Sequence, residues 1–90
     1  MSDSRSHFEI NVSLPSEPRF AETARELAIH AARHAGCGED EARAFGRDVE
    51  GVIRDHMEHV ASGASIPLVV RRVAGPVEVL VDGRTLILHA

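Results

Sequence analysis

Glu50 and Arg54 stand four residues apart in "VEGVIRDHMEHVA", residues 49–61. On a helix this spacing puts a carboxylate and a guanidinium on one side, at the border of the apolar arc. Two chemistries use such a pair. One is a helical ion pair in the favourable orientation, worth about 0.2–0.5 kcal/mol. The other is a glutamate base with an arginine clamp, which needs a substrate pocket, and no glycine-rich phosphate loop accompanies it. Six histidines form the second group: His7, His30, His34, His56, His59 and His89. His30 and His34 lie one turn apart on a first helix. His34 and His56 project near the apolar arcs of two helices, with His59 at the edge of the second. Packing of those helices would bring His34 and His56 together. Zinc wants three or four converging ligands, and His30, His34, His56 and His59 are the set that would supply them. The spacing lacks the glutamate of the protease motif, so no metal site is expected. The plainer alternative is buried histidines bonded to backbone or to one another, which would make the core sensitive to pH. Cys37, in "GCG", precedes the second helix and has His34 three residues back. A Cys–His nucleophile is the active reading, but no oxyanion motif flanks it.

The elements that must hold these side chains are legible from periodicity. In "HFEINVSL", Phe8, Ile10, Val12 and Leu14 alternate with polar residues, as in a strand with one buried face, and Pro15 ends it. In "SEPRFAETARELAIHAARHAG" the apolar residues Phe20, Ala24, Leu27, Ala28, Ala31 and Ala35 recur at helical spacing. Ser16 is the expected N-cap, and Gly36 or Gly38 the stop. Ile29 lies off the main apolar stripe and is a candidate interface residue. The segment "GEDEARAFGRDVEGVIRDHMEHVASG" is a second helix, with Glu39, Asp40 and Glu41 in its first turn, where negative charge suits the dipole. Its apolar arc is Ala42, Phe45, Val49, Val52, Ile53, Met57 and Val60. Gly46 falls near that arc and permits close approach of a neighbour; Gly51 points away from it. Ser62–Gly63 closes the helix.

"PLVVRRV", "PVEVLV" and "TLILHA" are strand-like, the first being the least defined: a strand, a linker or an exchanged arm. Asp82–Gly83 between the last two is a hairpin signal that sets Val81 opposite Arg84, Val79 opposite Leu86 and Val77 opposite Leu88. Two consecutive helices between strands point to an α+β, two-layer sandwich. Both helices pack on one face of a mixed or antiparallel sheet of three to four strands. The far face then carries His7, Glu9, Asn11, Ser13 and Glu78, with Leu80 and Ile87 as apolar exceptions and candidate interface residues.

Ninety residues make one domain, here residues 7–90 after a polar, loose N-terminus over residues 1–6. With three phenylalanines and no tryptophan or tyrosine, the core is thin, and pairing with a partner or a second copy would supplement it. The net charge of −4 is interspersed, and Arg71–Arg72 is the only arginine pair, so nucleic acid is not an expected partner. One cysteine excludes an internal disulfide. No signal peptide or membrane-spanning apolar run is visible. The cytoplasm is the expected location, without a membrane.

Strand, the proline-bracketed "LPSEPRF", a helix rich in small residues, an acidic turn, "EDEARAFGRDVEGVIRDHMEH" and the terminal "GPVEVLVDGRTLILHA" together resemble the anti-sigma-factor serine kinases. These are small members of the histidine-kinase/Hsp90-like ATPase fold. The likeness runs over nearly the whole chain. The family's nucleotide box reads roughly Glu-Ala-x-x-Asn-Ala-x-x-His. Laid on this sequence it falls on Glu50, Arg54 and Glu58. Where the family offers an asparagine to magnesium and phosphate, Arg54 has no acceptor atom. The family's adenine box, lid and glycine-rich box have no counterpart in this sequence. The resemblance therefore implies a shortened, degenerate relative that is not an enzyme and holds no cofactor. It would keep a regulatory role by binding a protein such as a sigma factor or its antagonist, with homodimerisation as a family habit. The alternatives are an active nucleotide-dependent serine kinase and a small His-rich metal-binding or pH-sensing protein.

Overall fold

The computed structural model describes residues 7–72 and 75–88. The chain runs β1 (Phe8–Pro15), α1 (Arg19–His34), α2 (Glu39–Met57), β2 (Ser65–Arg72), β3 (Val77–Val81) and β4 (Arg84–Leu88). The four strands form one sheet in the order β1-β2-β3-β4, every neighbouring pair antiparallel. The helix hairpin α1–α2 is inserted between β1 and β2 and packs on one face. The domain is thus an α+β two-layer sandwich. The loose N-terminal segment expected over residues 1–6 and the sixth histidine, His89, lie outside the described residues.

The core is aliphatic. Ile66, Leu68 and Val70 of β2 and Val77, Val79 and Val81 of β3 point at the helices and are sealed from solvent. They meet Ala21, Ala24, Ala28, Ala31 and Ala32 of α1 and Ala42, Phe45, Val49 and Ile53 of α2. Residues 67–72 of "PLVVRRV" therefore belong to a central strand with a neighbour on each side, and Val73 lies outside the described residues. A proline in such a strand normally loses a ladder bond. Pro67 escapes that cost because β3 pairs only from Leu68↔Val81 onward, so Pro67 lies opposite the turn and its carbonyl accepts from Asp82 N–H at 3.1 Å.

The hairpin register is the one the spacing predicts, with Val77↔Leu88, Val79↔Leu86 and Val81↔Arg84. Asp82 (φ 45°) and Gly83 (φ 95°) both lie in the left-handed region that a two-residue turn of this type needs. α1 stops at Gly36 (φ 93°). Cys37 N–H donates to Ala32 C=O at 3.0 Å and Gly36 N–H to Arg33 C=O at 2.9 Å, the paired bonds of a Schellman ending.

Four expectations are corrected. Ser16 does not cap α1; Pro18 occupies that position. The backbone of Ser16 still extends the sheet, its N–H donating to Ala64 C=O at 2.7 Å and its C=O accepting from Gly63 N–H, so it cannot also turn into the helix. α2 ends at Met57 rather than at Ser62–Gly63. Ile29 is buried, not an interface residue: its side chain fills the space that Gly46 leaves on α2. A helix lying between a sheet and a second helix buries two directions at once, and the single apolar stripe captures only one of them. Finally, Ile10 is exposed although it alternates with the buried side of β1. The helices cover β2 and β3, and β1 overhangs them.

Candidate functional site

Glu50 is the one candidate that the fold surrounds with charge. Its carboxylate accepts from Arg54 Nε and Nη2 at 3.2 and 2.8 Å on one oxygen and from Arg25 Nη1 at 3.2 Å on the other. The helical pair expected from the spacing therefore forms. Nothing in the local sequence points to Arg25, which arrives from α1 because the antiparallel helix hairpin sets it across from Glu50. One turn away on the same seam, Ile29 packs on Gly46. The Glu50 side chain is 15 % exposed. The hydrogen bond from Arg54, reinforced by the charge of Arg25, holds its carboxyl below the ordinary value against the opposing pull of burial.

Both oxygens of Glu50 thus already accept from guanidinium donors, whose positive charge opposes both protonation of the carboxylate and the approach of a cation. The arrangement is a charged clamp between two helices. Because the folded state lowers the carboxyl, its contribution to stability is complete above the unfolded value of about 4.5 and is lost as pH falls through the lowered folded value. Glu50→Gln is expected to cost about 1 kcal/mol at neutral pH, the worth of a charge-assisted bond in a partly exposed pair. It should also flatten the acid limb of the stability profile below pH of about 4.5. Urea denaturation of both proteins across acidic and neutral pH checks this; parallel profiles would show that the clamp contributes nothing.

Glu58, the third position of the box, is exposed just beyond the end of α2. With Arg54 it rims a depression of about 380 Å³ walled by Pro18, Met57 and Val60. The Ser16 hydroxyl beneath has no partner among the described residues. A second cleft, of about 390 Å³, lies between β1 and α1, lined by Phe8, Ile10, Leu27, His30, Ala31 and His34.

The histidines do not converge. His34 packs edge-on against Phe8, ring centroids 5.5 Å apart, beside β1. His56 lies at the other end of the helix pair, its Nε2 3.1 Å from the Asp82 carboxylate but without the alignment of a hydrogen bond. The expectation that packing joins His34 and His56 is corrected by the antiparallel course of the helices, which sends their C-terminal ends apart. His30 faces the β1 cleft and His59 lies exposed in the turn after α2. Among the described residues, no three His, Cys, Asp or Glu side chains come close enough to share a metal ion.

Cys37 is half-buried, and burial first, then the nearby Glu41 charge, pushes its thiol above the ordinary value, with Arg72 opposing. That is the reverse of what a nucleophile requires. Its backbone role in the α1 ending is structural. Alkylation of Cys37 at mildly alkaline pH is expected to run several-fold slower than that of a free cysteine; an equal or faster rate would mean an activated thiol.

The far face of the sheet carries Glu9, Asn11 and Ser13 from β1, Pro67, Val69 and Arg71 from β2, Glu78 and Leu80 from β3, and Thr85 and Ile87 from β4. Arg71 and Glu78 close a cross-strand ion pair at 2.8 Å. Of the three candidate interface residues, Leu80 and Ile87 are on this open face, Leu80 half-buried by its neighbours and Ile87 49 % exposed. No described helix is long and apolar enough to cross a membrane.

The class that fold and site define is therefore a small α+β sandwich whose charged candidate is self-satisfied. No family model matches the chain, and no curated protein or solved structure matches it.

Proposed function

We propose that this protein is a non-catalytic regulatory module that works by binding another protein. The observation that carries the reading is the closed Glu50 clamp. In the register of the ATPase resemblance, Glu50, Arg54 and Glu58 occupy the nucleotide box. Glu50 and Arg54 are bonded to each other, Glu50 is bonded also to Arg25, and the magnesium position holds a side chain without an acceptor. Apolar surface, by contrast, is left open at Ile10 and Ile87. The partner the resemblance suggests is a sigma factor or the antagonist of one, met in the cytoplasm and without nucleotide. Fluorescence anisotropy of the labelled chain against a panel of sigma factors and anti-sigma antagonists tests this. Saturable binding that is unchanged by ATP and magnesium is expected. Binding that appears only with nucleotide would overturn the reading in favour of the kinase alternative.

A further inference from the structure

β1 is the first strand of the sheet, and one of its edges has no neighbour among the described residues. The ladder fixes which residues face that edge. Ser16 N–H donates inward to Ala64 C=O, and Pro67, opposite Ser13, turns its carbonyl away from β1 toward Asp82. Alternation then directs the backbone groups of Phe8, Ile10, Val12 and Leu14 to β2 and those of Glu9, Asn11 and Ser13 outward. An edge of this length ordinarily carries a proline, a bulge or a clustered charge that blocks pairing. Pro15 stands only at its end, and the register with β2 is unbroken from Phe8 to Pro15.

The geometry points to a second copy of this chain as the occupant of that edge, bound antiparallel across a two-fold axis at Asn11. In that register Asn11 pairs with its own counterpart and Glu9 faces Ser13 of the other copy. All three outward residues of each strand then find partners, giving six backbone hydrogen bonds. The strand is self-complementary on both faces. On the polar face each Glu9 meets a hydroxyl, never the other Glu9, so no like charges are opposed. On the helix side Ile10 meets Val12, and Phe8 meets Leu14. This covers Ile10, which is 39 % exposed in the single chain, and brings together along one seam the two β1 clefts, whose apolar floor of Leu27 and Ala31 is flanked by His30 and His34. The overhang of β1 beyond the helices, which leaves Ile10 open in one copy, makes room for the neighbour. A two-fold pairing uses the β1 edge of both copies at once and leaves β4 as the outer strand at each end of the joined sheet.

This inference stands apart from the regulatory reading: a dimer without a sigma-factor partner, or such a partner bound by a monomer, would separate the two. The test is the solution mass of the full chain by sedimentation over a range of concentrations, for the wild type and three variants. Asn11→Pro removes an N–H that the fold does not use, at an edge position where proline is tolerated. It removes two hydrogen bonds from the symmetric pair and is expected to weaken association about tenfold or more. Ile10→Glu puts a charge in the seam and should do the same, and it decides the matter if the proline variant does not fold. Ile87→Glu, on the open sheet face, should leave the mass unchanged. The expected result is a mass of two copies that falls to one in both β1 variants with circular dichroism retained. A monomeric wild type, or a dimer that is insensitive to both β1 changes or is split by Ile87→Glu, would overturn the proposal.

Discussion

Replacing Ile53 by alanine is expected to cost about 2–5 kcal/mol of folding free energy, the range for truncating a large aliphatic side chain in a sealed core. Ile53 is 0 % exposed and sits on α2 in a core built mostly of valines and alanines. Neighbours of that kind are short, so they cannot swing in to fill the space left behind. The domain has little to spare. At about 0.05–0.15 kcal/mol per residue, a chain of this length is stable by about 5–13 kcal/mol. The variant should therefore unfold at a much lower urea concentration, and at the lower end of that range a fraction of molecules is already unfolded without denaturant. Ile87→Ala, on the exposed far face, should move the midpoint by less than about 0.5 kcal/mol. Equal effects at the two positions would mean that α2 does not seal the sheet in the way described.

The second large effect concerns the two glycines of α2, which should respond to alanine in opposite directions. A Cβ on Gly46 would lie 2.6 Å from Ile29 Cγ1 and 3.1 Å from Arg25 Cγ. Ile29 is β-branched and stiff at its first torsion, so the contact cannot be relieved by moving a flexible tip. Overpacking of this kind costs about 1–3 kcal/mol, against the roughly 1 kcal/mol that alanine gains over glycine in a helix. Gly46→Ala is thus expected to lose up to about 2 kcal/mol net, and Gly46→Leu more. A Cβ on Gly51 would meet nothing within 4 Å. Gly51→Ala should therefore stabilise by about 0.5–1 kcal/mol. Urea midpoints of the two variants give the comparison directly. Stabilisation by both would show that the helices do not approach as closely at Gly46 as the structure has them.

The same contact shows why parts of the architecture were legible in the sequence and others were not. The alternation of β1, the helical spacing of the alanines and the Asp-Gly turn are local signals; each produced the expected element, and the turn also set the expected hairpin register. Gly46 was legible as a point of close approach because a glycine near an apolar arc has few other uses. Its neighbour was not: Ile29 falls off the stripe of its own helix, and only the presence of a second helix on that side buries it. Ser16 has the chemistry of a cap but is held by the ladder to Ala64. Arg25 and Glu50 are 25 residues apart, a separation that no periodicity spans. Within the candidate site, then, the Glu50–Arg54 pair was readable from spacing, while the third member that closes it depends on tertiary packing. The exposure of Ile10 has the same origin, since a strand's pattern marks a face for burial without saying whether a helix reaches it.

The proposed regulatory reading requires that Glu50, held by Arg25 and Arg54, take no nucleotide. Isothermal titration of the 90-residue chain with ATP in the presence of magnesium is the decisive test. No saturable heat is expected up to millimolar nucleotide, with or without the divalent ion. Saturation at micromolar ATP that requires magnesium, and that disappears in Glu50→Gln, would contradict the account: the carboxylate would then have to leave Arg25 and Arg54 to serve a bound ligand.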